Sequence, residues 1–468
     1  MLKLIKRFYD TENMIKPEQK LGDLPSTQAA YKRNFGLAWP SALESVLISL
    51  VASVDIVMVG VLGPNAISAV GITTQPKYIL LSVILSLDIG ITALVARRKG
   101  ENDIVGANRC LKQGIIISAT LSLIMTVLGF IFAKDIIRFA GAGNDIIGDA
   151  TTYFQIILIG NFFASLGLTI NAAQRGIGNT KISMRTNVVA NIFNIVFDYL
   201  LIGGHFGFPH WGVAGAAVAT LLGNVAGFVL SVRSVLQHDC FLNLRQNNNW
   251  CFDKRTVSGI FKVGSSAMVE QVFMRIGFFS YAKIVAGLGT VAFAAHQICM
   301  NILNLSFSFG DGFSVAASSL VGQSLGEKRP DKAIIYAKVG QRFAFTVSVL
   351  LSLTFLAGNT LLVQIFSNDP QIIAMSRPLM VIIAITTLGQ ISTVVLSGCL
   401  RGAGDVLYTA WVSLLSIGII RPLASWVLCY PMGLGLTGAW IGLLLDQMLR
   451  LFMVFLRFRG DKWTRVKL

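Results

Sequence analysis

Apolar residues in this chain come in long blocks and do not alternate with polar ones. Stretches near or above ~20 residues, the length a helix needs to cross the hydrocarbon layer of a bilayer, recur from one end to the other. The blocks predict spans near 35–62, 68–96, 111–133, 150–172, 184–204, 213–236, 257–288, 292–322, 334–362, 374–399, 405–430 and 435–456. The alternation that would suit a β-barrel is absent, and continuous runs such as Ile115 to Phe132 favour helices. The pattern therefore predicts an all-α polytopic membrane protein with twelve transmembrane helices.

Composition agrees. Of the 468 residues, 54% are hydrophobic and 13% charged, where a soluble domain carries about 25% charged. A soluble chain of this kind would expose large apolar patches, which monomers rarely do. The formal net charge of +16 would suggest nucleic acid in a soluble protein, but its placement points elsewhere. With the amino terminus assigned to the cytoplasm, 32 of the 39 Lys and Arg residues fall on that side. The other seven are Lys77, Lys134, Arg138, Arg275, Lys283, Arg377 and Arg421. This positive-inside bias predicts two cytoplasmic termini and an even number of crossings. The expected setting is the cell inner (plasma) membrane, with the lipid bilayer as partner and no nucleic acid. The first 30 residues are mostly polar without a signal-peptide core, so the first span is expected to act as the membrane signal. The six cysteines, at 110, 240, 251, 299, 399 and 429, form no CxxC pair. They read as free thiols, with no metal site and no cofactor.

The chain also repeats itself. At an offset of 226, Leu62-Gly63 falls on Leu288-Gly289, Gly100-Glu101 on Gly326-Glu327, Arg175-Gly176 and Gly178 on Arg401-Gly402 and Gly404, and Glu44 on Glu270. With a slip of three, Gly212 and Gly215 match Gly435 and Gly438. Six helices separate each pair, so the halves share one orientation, and a pseudo-twofold axis along the membrane normal would relate them. The expected division is a cytoplasmic segment 1–30, an N-lobe 31–236, a linker 237–256, a C-lobe 257–458 and a tail 459–468. Two lobes with a seam suit alternating access, and one chain, a monomer, suffices for it.

Charges inside lipid cost roughly 2.5–3.5 kcal/mol each, so the acids within spans are the first candidates: Glu44, Asp55, Asp88, Asp198, Glu270, Asp311 and Asp446. On the fifth span, Asn187, Asn191, Asn194 and Asp198 are spaced 4, 3 and 4 apart, which puts them on one helical face. Asp55 on the first span lies at a similar depth. Two carboxylates brought together disfavour full ionisation, so one holds a proton or both share a cation; Asn194 and Thr220 add neutral oxygens of the kind a hard cation such as Na+ prefers. The other reading of the same residues is a hydrogen-bond network joining helices. Glu270 and its repeat mate Glu44 are candidates for the substrate cavity, the other reading of Glu270 being an ion pair with Arg275. Asp446 lies four residues before Arg450, a structural pair, and Arg421 is placed to neutralise an acid of the second lobe. His205 and His210 sit among Phe206, Phe208 and Trp211 as in an interfacial aromatic belt.

The chain has no GxxxxGK[ST], HExxH or GxSxG string, so neither an ATP-driven engine nor an enzyme is expected. The driving force is then an ion gradient. A univalent ion gains about 2.3 kcal/mol per 100 mV, against about 1.4 kcal/mol for a tenfold solute gradient.

As a set, these residues resemble the multidrug and toxic compound extrusion (MATE) family. The resemblance rests on Pro40 followed by Asp55, Val59-Gly60 and Leu62-Gly63, on Arg175-Gly176-Ile177-Gly178-Asn179-Thr180 and Arg401-Gly402-Ala403-Gly404-Asp405, on Asn191 through Asp198-Tyr199, on Ala217-Val218-Ala219-Thr220, and on Ala295-His296-Gln297 leading to Val321-Gly322-Gln323. It covers nearly the whole chain. It implies secondary active export of small organic cations and amphipathic drugs in exchange for protons or sodium ions. It implies a cation site of Asp55, Asn194, Asp198 and Thr220, with Asn171 added by family alignment, and Glu270 as an acid that some branches use in the second lobe. Those branches pair that acid with an aspartate where this chain has Gln390, which leaves Gln390 and Glu270 as substrate-cavity residues and puts coupling in the first lobe. The alternative function is a flippase for lipid-linked oligosaccharide precursors. It would need clustered basic residues, and Arg275, Lys283, Arg377 and Arg421 do not form one obvious cluster in the sequence.

Overall fold

The computed structural model describes residues 9–237, 240–245, 250, 252–460 and 462–466. Among them, twelve long helical elements follow one another: α1 Thr27–Gly60, α2 Pro64–Gly100, α3 Ile104–Ile131, α4 Ile147–Gly176, α5 Thr180–Gly203, α6 Gly212–Ser234, α7 Lys254–Ala286, α8 Thr290–Gly326, α9 Pro330–Ala357, α10 Pro370–Ala403, α11 Val406–Cys429 and α12 Gly435–Arg459. Ten of these are long and apolar enough to cross a membrane by length and composition; α7 and α8 carry the remaining two predicted spans. Helices are the natural element here, because hydrocarbon offers no partner to a backbone amide and a helix satisfies its own.

The offset of 226 recurs in the backbone. α2 and α8 match at both ends, as do α3 and α9, and α5 and α11. Gly63 and Gly289 take φ of 100° and 101°, Gly178 and Gly404 take 88° and 89°, and even the non-glycine residues Asn102 and Lys328 share φ 56°. Short helices that end the third and ninth spans also coincide, Ala133–Phe139 with Asn359–Gln364. The slip of three has one location. Eight residues join Gly203 to Gly212 and five join Cys429 to Gly435; the longer connection contains the turn His205–Gly207. Exposed Phe206, Phe208 and Trp211 sit there, as an interfacial belt would require.

The chain forms two compact units, Leu43–Gly264 and the residues before Leu43 together with Ser265–Leu468. The boundaries thus fall inside α1 and α7, not in the polar stretch Gln237 to Lys254 that the sequence marks as a linker. In the second unit, Met14 and Ala30 pack with Leu320, Ile335 and Val339, and Asn34 donates to the Tyr336 carbonyl at 3.2 Å. In the first unit, a Cβ on Gly90 would stand 2.8 Å from the Ile260 carbonyl oxygen, so the glycine lets α2 close on the start of α7. Cys110, Cys240, Cys299, Cys399 and Cys429 are free thiols; Cys251 lies outside the described residues.

Candidate functional site: a carboxyl pair in the first unit and an arginine cavity in the second

In the first unit, α5 and α6 pack closely because Gly223 and Gly215 have no side chain. A Cβ on Gly223 would meet the Ala190 carbonyl at 2.7 Å, and one on Gly215 the Leu201 carbonyl at 2.5 Å. This approach brings Thr220 to Asn194. Asn194 Nδ2 donates to Asp198 Oδ2 at 3.1 Å and to Thr220 Oγ1 at 3.4 Å. Asp55 of α1 meets Asp198 carboxyl to carboxyl, with Lys77 of α2 acting on Asp55 and Tyr153 of α4 beside both acids. Asp198 is 1% exposed, and one oxygen of each carboxyl is buried with no hydrogen-bond partner among the described residues. A buried carboxyl oxygen without a partner is costly and is ready to take a proton or a cation.

The structure does not bring Asn171 to this group. Its side chain donates to Thr186 Oγ1 at 3.0 Å and accepts from Ser231 Oγ at 3.2 Å, so it joins α4 to α5 and α6. The polar stripe of α5 is likewise shared out. Asn194 and Asp198 serve the carboxyl pair, while Asn187 donates to Glu44 at 2.5 Å.

Glu44 and Glu270 occupy matching cradles. Glu44 accepts from Ser183 Oγ at 3.0 Å and from Asn187, with Arg175 at 3.8 Å. Glu270 accepts from Arg401 at 2.6 Å, Thr409 at 3.1 Å and Ser413 at 3.2 Å. All four members are related by 226: Glu44 and Glu270, Arg175 and Arg401, Ser183 and Thr409, Asn187 and Ser413. The sequence offset pairs the two glutamates with each other but does not link them to the arginines of the RG pairs. Glu270 is 3% exposed, and its partner is Arg401, not the nearby Arg275.

In the second unit, α7, α8, α10, α11 and α12 enclose a cavity of about 210 Å³. Gln390 stands in its wall and accepts from Ser306 Oγ at 3.3 Å; Glu270 does not line it. Arg275, Arg421 and Arg450 do. Folding thus makes a basic cluster that the linear order of Arg275, Lys283, Arg377 and Arg421 conceals. Arg421 and Arg450 both bond Asp446 Oδ2, at 2.5 Å through Arg421 Nη2 and 3.0 Å, so the predicted Asp446–Arg450 pair is present and has a second cation. Arg421 follows a π-helical stretch, Leu414–Ile420, and precedes Pro422. Proline cannot donate the usual i→i−4 bond, and a π turn is one way a helix absorbs such a break, often beside a functional site.

A chain of long apolar helices in two matching halves, with buried carboxyls facing each other at helix depth, has the build of a secondary transporter. The family model MatE matches residues 40–200 and 266–427, one segment in each half, and the chain belongs to this family of multidrug and toxic compound extrusion transporters. It is 29% identical over 432 residues to the Probable multidrug resistance protein NorM of Thermotoga maritima, covering 92% of each chain. It is 26% identical over 430 residues to Multidrug resistance protein PmpM of Pseudomonas aeruginosa, covering 89% of this chain and 88% of that one. An outward-facing MATE transporter structure superposes with a TM-score of 0.87 at 21% identity, over 92% of this chain and 95% of that one.

Proposed function

We propose that the protein is a multidrug efflux transporter that exports amphipathic organic cations in exchange for protons or sodium ions, with the coupling ion taken up at Asp55 and Asp198. The meeting of these two carboxyls, each with a buried oxygen that lacks a partner among the described residues, carries this reading. An arriving proton or sodium ion neutralises the pair, and the change in charge repacks α1 against α5 and α6. Asn194 already donates to Asp198, so its own carbonyl oxygen and the Thr220 hydroxyl oxygen are the neutral ligands at hand. Substrate leaves on one side as the ion is bound, and the ion is carried inward on return. The NorM and PmpM names of the similar proteins support the drug-export part. The positive-inside bias supports an inner (plasma) membrane setting with both termini cytoplasmic, and the two-unit build supports a monomer as the working unit.

The test is ethidium export from energised inverted vesicles, wild type beside Asp55→Asn, with proton and sodium gradients imposed separately. One gradient is expected to drive export, and the variant to lose that drive while still binding dye. Normal export by Asp55→Asn would remove the carboxyl pair from the coupling mechanism.

A further inference from the structure

The cavity of the second unit carries a charge that organic-cation export does not explain. Three guanidinium groups line it, from Arg275 on α7, Arg421 on α11 and Arg450 on α12. Arg421 and Arg450 share one carboxylate, Asp446, which meets both through a single oxygen. The other nearby acid, Glu270, is held by Arg401, Thr409 and Ser413. Arg421 is 2% exposed and its Nη1 has no hydrogen-bond partner among the described residues, nor does Arg450 Nε. Guanidinium groups are forks of five donors that fit carboxylate and phosphate oxygens in pairs. Leaving such donors buried and unmade is costly.

The helix packing does not require these charges. At the offset of 226, Arg275 corresponds to Ser49 and Arg421 to Ile195; at the offset of 223 that applies beyond α11, Arg450 corresponds to Gly227. The first half builds the same helices with three neutral residues. The rest of the lining is apolar or neutral: Phe278, whose ring lies 4.9 Å from the Arg421 guanidinium, with Met300, Phe307 and Gln390. At about 210 Å³ the cavity has the volume of about seven waters, enough for a charged head and a short apolar stem.

We propose that this cavity is a binding site for an amphipathic organic anion, whose carboxylate or phosphate head is held by Arg275, Arg421 and Arg450 and whose stem lies against Phe278, Met300 and Phe307. The site is separate from the carboxyl pair of the first unit and takes ligands of the opposite charge.

The experiment uses the full chain in phosphatidylcholine nanodiscs and radiolabelled octanoate in equilibrium dialysis, with empty nanodiscs subtracted. Saturable octanoate binding is expected, displaced by octyl phosphate and not by octylammonium. Arg275→Gln is expected to weaken it at least about tenfold, as loss of a charged hydrogen-bond donor does, and Arg275→Lys to restore part of it. Met300→Trp, which fills the cavity without touching a charge, should block binding as well and covers the case of an Arg275 variant that does not fold. Nanodiscs containing phosphatidylglycerol separate the sources of the head: competition assigns it to a lipid, and unchanged binding to a free anion; both retain the site. Absence of saturable binding overturns the proposal, as does binding that survives Arg275→Gln and Met300→Trp unchanged. Ethidium export by the same variants reports independently on the cation pathway.

Discussion

The two halves share a scaffold and differ in their charged chemistry. Each ties its first long helix to its fifth through a glutamate, an arginine from the end of the fourth and two hydrogen-bonding side chains, at positions 226 residues apart. Where the first half has Asp55 and Asp198, the second has Tyr281 and Ala424. Where the second has Arg275, Arg421 and Arg450, the first has Ser49, Ile195 and Gly227. Features kept in both copies are those the packing needs, and features present in one copy mark where a task was added. The common part is structural by this criterion, and the Glu–Arg cradles belong to it.

That comparison can be broken at several points. The largest effect is expected at the carboxyl pair: Asp198→Asn should abolish gradient-driven ethidium export, at least about a hundredfold, while the melting temperature stays close to wild type, because an amide replaces a carboxyl without leaving a lone charge. A collapse in melting temperature would move Asp198 to the structural class. Asp446→Ala should be the most damaging to folding. It leaves Arg421 and Arg450 buried without their shared acid, a loss of about 3–5 kcal/mol, read as thermal unfolding in detergent. The cradles should then differ in degree. Arg401→Ala removes a 2.6 Å bond to a carboxylate, and Arg175→Ala a 3.8 Å contact with Glu44 and a 3.1 Å bond to the neutral Ser183, so the first should cost about 2–3 kcal/mol and the second about 1 kcal/mol; equal losses would show that the distances do not report the strengths. The smallest effect lies at the start of α7, outside the membrane. The Thr256 hydroxyl bonded to Asp253 holds that carboxyl below the usual carboxylate range. Its contribution is therefore complete above the ordinary aspartate value and lost as pH falls through the lowered one. Asp253→Ala should cost about 0.5–1 kcal/mol at neutral pH, a difference that falls towards zero in strong acid, measured as unfolding against pH.

Much of this was legible in the sequence. Twelve apolar blocks became twelve long helices, because in lipid the length of a block determines its structure more strictly than in water. The offset of 226 was visible in loops, where glycine is needed for a positive φ, as at Gly63, Gly178 and their mates. Asn194 and Asp198 could be placed together because a spacing of four defines a helix face. The cradles were hidden for two reasons. Glu44 and Arg175 are 131 residues apart, and no periodicity connects them. Their neutral partners also change type between halves, Ser183 to Thr409 and Asn187 to Ser413, although each still donates one hydrogen bond to the acid. The arginine cavity was hidden because Arg450 counts in the sequence as a cytoplasmic charge near the end of the last span. Its side chain is 11% exposed and turned to Asp446. Asn171 enters the expected cation site by family likeness alone, and its bonds to Thr186 and Ser231 place it in the packing of α4 against α5 and α6.

The closed cradles also have an electrical consequence. A glutamate and an arginine in contact have zero net charge, so the membrane potential does no net work on them if they move as a unit. An unbalanced charge in the same field exchanges about 2.3 kcal/mol per 100 mV when it crosses the full thickness. Under the proposed mechanism, voltage sensitivity then originates outside the cradles, in groups such as Asp55 and Asp198. Charge movement recorded from the transporter should vanish in parts as those residues are neutralised, and stay unaltered when Glu44 and Arg175 are replaced together by a neutral pair of similar size.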